Sequence, residues 1–104
     1  MLRIQTKIAK WCKKQFPYQT ALSKMIHLEK EILELKDEIV NSAFEMTPNV
    51  PKELADNVIL LYGIADLYGI DLHKEVKKKH KINVKRKWHK PDKDGVCFHV
   101  KDGK

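Results

Sequence analysis

The sequence predicts an all-α fold: a bundle of about four helices with a short, turn-rich C-terminal tail that is expected to be a small hairpin or an extended segment. Apolar residues recur every three or four positions along most of the chain, which is the period of helices that bury one side. Pro17, Pro48 and Gly69 fall between these stretches, where they end helices. A length of 104 residues suits one domain with a modest core, so we expect residues 1–104 to form a single domain.

The first predicted helix covers residues 3–15, and Pro17 ends it because proline disfavours helix in the residue before it. Its apolar stripe contains Ile4, Ile8, Trp11 and Cys12. We expect Trp11 and Phe16 to be core residues. The alternative for either ring is stacking on a nucleobase.

The second predicted helix starts near Thr20 and runs to about Glu45. One stripe at helical spacing is expected to face the core: Leu28, Ile32, Leu35 and Ile39. A second apolar strip lies elsewhere on the helix: Leu22, Met25, Ile26, Leu33 and Val40. A helix with two apolar sides is expected either inside a bundle or at a contact between subunits.

The third predicted helix covers residues 51–68 and follows a loop with two prolines, at 48 and 51. It is apolar on nearly all sides after its first turn, so part of its cover is expected from another subunit. Gly69 is placed to cap its C-terminus. Asp71 is then placed to cap a fourth helix over residues 72–81.

The charge of the chain is uneven. Residues 1–73 carry nine Lys/Arg against ten Asp/Glu, a net charge of −1, whereas residues 74–104 carry twelve against four, a net charge of +8. A basic segment of this kind attracts a polyanion, although it can equally be a solvated tail. There is no apolar run of roughly 18 residues and no signal-peptide pattern, and there are only two cysteines, so we expect a cytoplasmic protein without a membrane span.

Two acidic groups stand at helical spacing. Glu31, Glu34 and Glu38 share one side of the second helix, and Glu53 and Asp56 lie one turn apart on the third. Two antiparallel helices can aim both groups at one point. Convergent carboxylates beside an apolar core suit Mg²⁺, which prefers hard oxygen ligands and bridges to phosphates. This pattern indicates a metal site that acts on a nucleoside triphosphate.

The same pattern resembles the MazG-like, all-α nucleotide pyrophosphohydrolases. That family has two acidic residues, two spacers and a third acidic residue, and then Glu-x-x-Asp after a gap. Here the first part is Lys30-Glu31-Ile32-Leu33-Glu34 and the second is Glu53-Leu54-Ala55-Asp56. Lys30 stands where the family has its first acidic residue, so either that position is dispensable or Glu38 replaces the missing charge.

The resemblance continues into the basic segment, where the family has a basic residue, Asn, Arg and Trp. These correspond to Lys79, Asn83, Arg86 and Trp88. The ending Pro91-Asp92-Lys93-Asp94-Gly95 with His99, and the opening with Trp11, resemble the phage and bacterial subgroup of dATP/dGTP pyrophosphohydrolases.

The resemblance implies Mg²⁺-dependent hydrolysis of (deoxy)nucleoside triphosphates, with purine dNTPs as substrates, to a monophosphate and pyrophosphate. Mn²⁺ is the expected substitute for Mg²⁺. The implied metal ligands are Glu31, Glu34, Glu53 and Asp56, with Glu34 or Glu38 as the general base. The implied substrate-binding residues are Lys79, Asn83, Arg86, Trp88 and Trp11. A homodimer or homotetramer is expected, in the host cytoplasm if the protein is phage-encoded.

Two other functions fit parts of the sequence. Residues 77–87 and Trp88 would be the phosphate-contacting strip of a non-enzymatic nucleic-acid-binding protein, such as a small phage regulator. A zinc site would need His89, Cys97 and His99, which lack paired Cys-x-x-Cys spacing. The first alternative is the stronger of the two.

Overall fold

The computed structural model describes residues 3–101, and its regular structure within that range is four α-helices. They are α1 (Arg3–Gln15), α2 (Ala21–Asn41), α3 (Asn49–Leu67) and α4 (Leu72–Lys85). The predicted all-α fold class is therefore confirmed. None of these described helices is long and apolar enough to cross a bilayer.

The chain divides into two compact units, with the boundary between His73 and Lys74, and each unit is described by itself. The first unit contains α1, α2, α3 and the first two residues of α4. The second contains the remainder of α4 and the tail. The expectation of one domain over residues 1–104 stays a prediction.

Helix α2 begins with a capping box. The hydroxyl of Thr20 accepts a hydrogen bond from the backbone N–H of Ser23, and the hydroxyl of Ser23 accepts one from the backbone N–H of Thr20. The helix ends at Asn41, so the predicted end near Glu45 was wrong. Ala43 and Phe44 adopt left-handed backbone angles, with φ of 53° and 66°, which a continuing right-handed helix excludes.

The turn between α3 and α4 is a Schellman motif. Gly69 has φ of 66°, its N–H donates to the carbonyl of Asp66, and the N–H of Ile70 donates to the carbonyl of Ala65. The predicted capping role of Gly69 follows from this geometry. Helix α4 continues to Lys85, four residues beyond the predicted end.

In the first unit, α3 packs against both α2 and α1. The buried apolar side chains are small apart from one leucine: Ala9, Cys12, Leu28 and Ala65. Three polar side chains are buried with them: Gln5, Lys24 and Asn57. Gln5 is fully buried, where its Nε2 donates to the carbonyl of Ile70 at 2.8 Å and its Oε1 accepts from the N–H of Leu72 at 3.1 Å. Through these two hydrogen bonds, Gln5 connects α1 to the turn after α3.

The inward side of α2 differs from the predicted apolar stripe. Ile32 and Ile39 are exposed, so the prediction was wrong for both residues. The residues at least partly buried along this side, spaced as i, i+4, i+7, i+11 and i+14, are Lys24, Leu28, Glu31, Leu35 and Glu38. Apolar residues occur on most sides of α2. The side that packs against α3 also carries charged groups. The second apolar strip is largely exposed in this chain.

In the second unit, the tail turns back on itself. Trp88 and His99 form an antiparallel bridge, and the N–H of His89 donates to the carbonyl of Phe98 at 2.8 Å. At the turn, Oδ1 of Asp92 accepts hydrogen bonds from two backbone N–H groups, at positions 94 and 96. Gly95 supplies the positive φ of 79° that this turn requires.

Candidate active site

Three carboxylates from two helices converge in the first unit. Glu31 and Glu34 come from α2 and Glu53 from α3, and each offers an oxygen within 4.8 Å of the others. The sequence spacing accounts for this arrangement, because positions three apart on a helix share a face and α2 packs directly on α3. The three oxygens are close enough together to ligate divalent cations.

Neighbouring charges and burial raise the pKa values of two carboxylates in this cluster. The pKa of Glu34 is raised above its usual value of 4.5, first by the negative charge of Glu31 and then by a hydrogen bond between the two side chains. The pKa of Glu53 is raised above the same value, first by desolvation and then by the charges of Glu34 and Glu31. Holding all three groups ionised therefore costs free energy, and a bound cation would offset this cost.

Two buried oxygens beside the cluster need a donor or a cation. Oε2 of Glu53 and Oδ1 of Asn57 are both buried and have no hydrogen-bond partner within residues 3–101. An unsatisfied buried acceptor is expensive, and a metal ion or its bound water satisfies such an oxygen directly. The donor set is entirely oxygen, which suits Mg²⁺ or Mn²⁺.

Asn57 is a site residue that the sequence analysis missed. Its Nδ2 donates to the backbone carbonyl of Glu53 at 2.7 Å and lies 3.5 Å from the carbonyl of Glu31. One amide therefore contacts both helices at the level of their carboxylates. The available signal was its position four residues after Glu53, on the same side of α3.

The other predicted acidic residues lie around this group. Asp56 is outside the 4.8 Å group, but its charge helps to raise the pKa values of both Glu34 and Glu53. Glu38 accepts a hydrogen bond from the hydroxyl of Thr47 and also lies outside the group. Lys30, which stands where the family has its first acidic residue, is exposed.

A cleft of about 340 Å³ opens beside the carboxylates. Glu31 and Asp56 line it together with the rings of Trp11 and Phe16, which meet edge to face at 5.4 Å between centroids. Trp11 is 56% exposed and Phe16 41%, so the expectation that both are core residues was wrong. His27 also lines the cleft, with Nε2 3.2 Å from Oε1 of Glu31.

Lys24 is a second residue of the cleft that the sequence analysis missed. It is only 5% exposed, and no role was predicted for it from the sequence. Its Nζ donates to Oε1 of Gln19 at 2.8 Å, and both residues line the cleft. The available signal was its place seven residues before Glu31, which puts both on one side of the helix.

The predicted substrate-binding residues of the basic segment belong to the second unit. Lys79 is exposed and Arg86 is half-buried. Oδ1 of Asn83 is buried and has no hydrogen-bond partner in the described part of the chain. The indole N–H of Trp88 donates to the backbone carbonyl of Asn83 at 3.1 Å, so this ring anchors the end of α4.

The suggested zinc ligands do not meet. Glu31, Glu34 and Glu53 form the one group of three or more potential ligands that converges in residues 3–101. His89, Cys97 and His99 are therefore not grouped for metal binding. His99 instead lies beside Trp88, its partner in the antiparallel bridge, with their rings edge to face at 6.1 Å.

Comparisons with known proteins agree with this geometry. A family model described as dATP/dGTP pyrophosphohydrolase matches residues 4–103. The dATP/dGTP diphosphohydrolase of Salmonella phage PMBT28 is 36% identical over 100 residues, which are 96% of this chain and 31% of that protein. The chain thus spans about a third of the length of this curated relative.

A solved structure is also similar. It is a cyanophage S-2L MazG-like pyrophosphohydrolase bound to dGDP and three catalytic Mn²⁺ ions per active site. It superposes with a TM-score of 0.74 and 28% sequence identity, and the match covers 94% of each chain.

Proposed function

Because the chain belongs to the dATP/dGTP pyrophosphohydrolase family, we propose that it hydrolyses purine deoxynucleoside triphosphates to the monophosphate and pyrophosphate. Water adds across the anhydride bond between the α- and β-phosphates, and both products leave as anions. The observation that carries this proposal is the convergence of Glu31, Glu34 and Glu53 at the edge of an aromatic cleft.

The metal ligands in this proposal are Glu31, Glu34, Glu53 and Asp56. The raised pKa values of two of them and the unpartnered oxygen of Glu53 support a cation at this point. The S-2L relative was solved with Mn²⁺, which supports a divalent cation, Mg²⁺ or Mn²⁺, at this site. Such ions, when bound, neutralise phosphate charge and lower the pKa of a bound water.

The side chains of the chain have distinct tasks in this reaction. Glu34 accepts the proton of the attacking water, because its carboxylate lies in the group that would hold the ions and their bound water. Glu38 is the second candidate for that role, although its carboxylate is engaged by Thr47. Asn57 holds α2 and α3 in register, so that the carboxylates stay together.

The basic segment supplies the phosphate contacts in this proposal. Lys79 and Arg86 bind the outer phosphates, the latter through a planar fork that matches phosphate oxygens. Asn83 binds a phosphate or the sugar, which its unpartnered Oδ1 supports. Trp11 stacks on the base from the wall of the cleft, whereas Trp88 has a structural hydrogen bond that favours an anchoring role.

A homodimer or homotetramer is also part of the proposal. The second apolar strip of α2 is largely exposed in the single chain. Burying it between subunits would be favourable, at about 25 cal/mol per Å² of apolar surface. Analytical ultracentrifugation tests this directly, because Leu33→Glu is expected to lower the sedimenting mass while helical circular dichroism is kept.

The test of the activity is incubation with each common NTP and dNTP in Mg²⁺, with the products resolved by chromatography. We expect purine dNTPs to give monophosphate and pyrophosphate. Glu34→Gln should abolish pyrophosphate release and leave the fold intact. The matched control is Glu29→Gln, because Glu29 is an exposed carboxylate of the same helix outside the cluster.

The nucleic-acid-binding alternative makes the opposite prediction. Under it, Glu34→Gln has no effect, no dNTP is cleaved, and substitutions in residues 77–87 weaken a salt-sensitive gel shift. Release of pyrophosphate that persists in Glu34→Gln would also contradict the assigned role of the cluster. The cytoplasmic location stays a prediction.

A further inference from the structure

Lys24 is a buried cation among the described residues of the first unit, and no role assigned above uses it. Its side chain is 5% exposed and its ammonium has three donor hydrogens. Within residues 3–101 the structure gives Nζ one hydrogen-bond acceptor, Oε1 of Gln19 at 2.8 Å. A buried lysine with a single neutral acceptor is costly, so a further acceptor from a ligand would be strongly favoured.

The fold makes room for this cation. Gly63 of α3 faces Lys24, and a Cβ built on it would lie 3.2 Å from Nζ and 3.3 Å from both Cε and Cδ. These distances are shorter than ordinary van der Waals contacts. Glycine in the middle of a helix costs about 1 kcal/mol relative to alanine, so a packing requirement at this point is a reasonable cause.

Lys24 lies away from the carboxylates along the cleft. It precedes Glu31 by seven residues, which corresponds to about 10 Å along the axis of α2. Metal and phosphate belong at the carboxylate end under the proposed function. Because the sugar separates the base from the phosphates, the base of a bound nucleotide would lie farther along the cleft, near the rings of Trp11 and Phe16.

We propose that Lys24, with Gln19, contacts the O6 and N7 edge of a guanine base and makes the site favour dGTP over dATP. This inference rests on the proposed function and deepens it. Oε1 of Gln19 accepts from the ammonium, so its Nε2 remains a donor; both residues line the cleft, and both side chains carry N–H groups that can donate to a base. Guanine offers two acceptors on this edge, whereas adenine replaces O6 with a donating amino group that opposes an ammonium.

The test is calorimetric binding of the α,β-methylene analogues of dGTP, dITP and dATP in Mg²⁺. In these analogues a carbon replaces the bridging oxygen, so affinity is measured without cleavage. We expect the dGTP analogue to bind about tenfold or more tighter than the dATP analogue. The dITP analogue should match dGTP, because hypoxanthine keeps both O6 and N7.

Lys24→Met keeps the length and apolar stem of the side chain and removes its charge. We expect this variant to lose the preference, because the dGTP and dITP analogues bind more weakly while the dATP analogue binds as well as before or better. Gly63→Ala, which crowds the ammonium, should reduce the preference in the same direction. The matched control is Lys13→Met, because Lys13 is an exposed lysine whose partner is Asp66 and which does not line this cleft.

Three results would overturn the base contact: equal affinities in the wild type, a preference that survives Lys24→Met, or an equal loss for all three analogues. The last result would assign Lys24 to a phosphate. Pyrophosphate release by the wild type is measured in parallel. Base preference without hydrolysis would contradict the hydrolase alone, and hydrolysis with a preference independent of Lys24 would contradict the base contact alone.

Discussion

The buried amide of Gln5 should be among the largest single contributors to the stability of the first unit. Gln5→Met keeps the length of the side chain but removes both hydrogen bonds, to the carbonyl of Ile70 and the N–H of Leu72. Each buried group left without a partner costs about 1–3 kcal/mol. The thioether recovers about 1–2 kcal/mol through apolar burial, so we expect a net loss of about 2–3 kcal/mol.

Urea unfolding followed by circular dichroism measures this loss. With an m-value of about 1.5 kcal/mol/M, the midpoint should fall by about 1.3–2 M while the m-value is unchanged. The matched control is Gln15→Met, at an exposed position of the same helix, which should change stability by less than about 0.5 kcal/mol. If the two variants are equally stable, the amide does not fasten α1 and the reasoning is refuted.

Two further predictions concern the end of α2 and the carboxylate cluster. Ala43→Gly should raise the free energy of unfolding by about 1 kcal/mol, because glycine adopts the left-handed backbone conformation of residue 43 without strain. Ala55→Gly inside α3 should lower the free energy of unfolding by about the same amount. If urea unfolding shows a loss of stability in both variants, the left-handed conformation at residue 43 is contradicted. In metal-free protein the raised pKa values of Glu34 and Glu53 make the native state bind protons more tightly than the unfolded chain. Their contribution to stability is therefore full below about pH 4.5 and is lost as the pH rises through the raised pKa values. Urea unfolding in EDTA should show that the free energy of unfolding falls more steeply towards neutral pH in the wild type than in the double variant Glu34→Gln, Glu53→Gln. If the free energy of unfolding depends on pH identically in both proteins, repulsion between these carboxylates is excluded.

The helix boundaries show which parts of the fold local sequence can predict. Gly69 marks the turn after α3 because glycine tolerates the positive φ that a Schellman motif requires. The end of α2 was missed because Ala43 and Phe44 also adopt positive φ, and neither residue type signals that conformation. A boundary made by residues with no preference for it cannot be predicted from their identity.

The candidate site was likewise predicted in part from local sequence, and the rest depends on packing between helices. The spacing of the carboxylates predicted their convergence, since helical geometry fixes which side each one occupies. The choice of buried side failed because Ile32 is as apolar as Leu28, and only the packing of α3 decides between them. Lys24 was missed for a related reason: its burial depends on Gly63, far away in sequence. The Trp11 ring was expected in the core, but a small chain leaves it at the cleft.

The central claim is that carboxylates from α2 and α3 together hold divalent cations. Anomalous diffraction from a crystal soaked in Mn²⁺ tests it most directly. We expect anomalous peaks in contact with the carboxylates of Glu31, Glu34 and Glu53. Peaks only at other positions, or three side chains pointing apart into solvent, would contradict it.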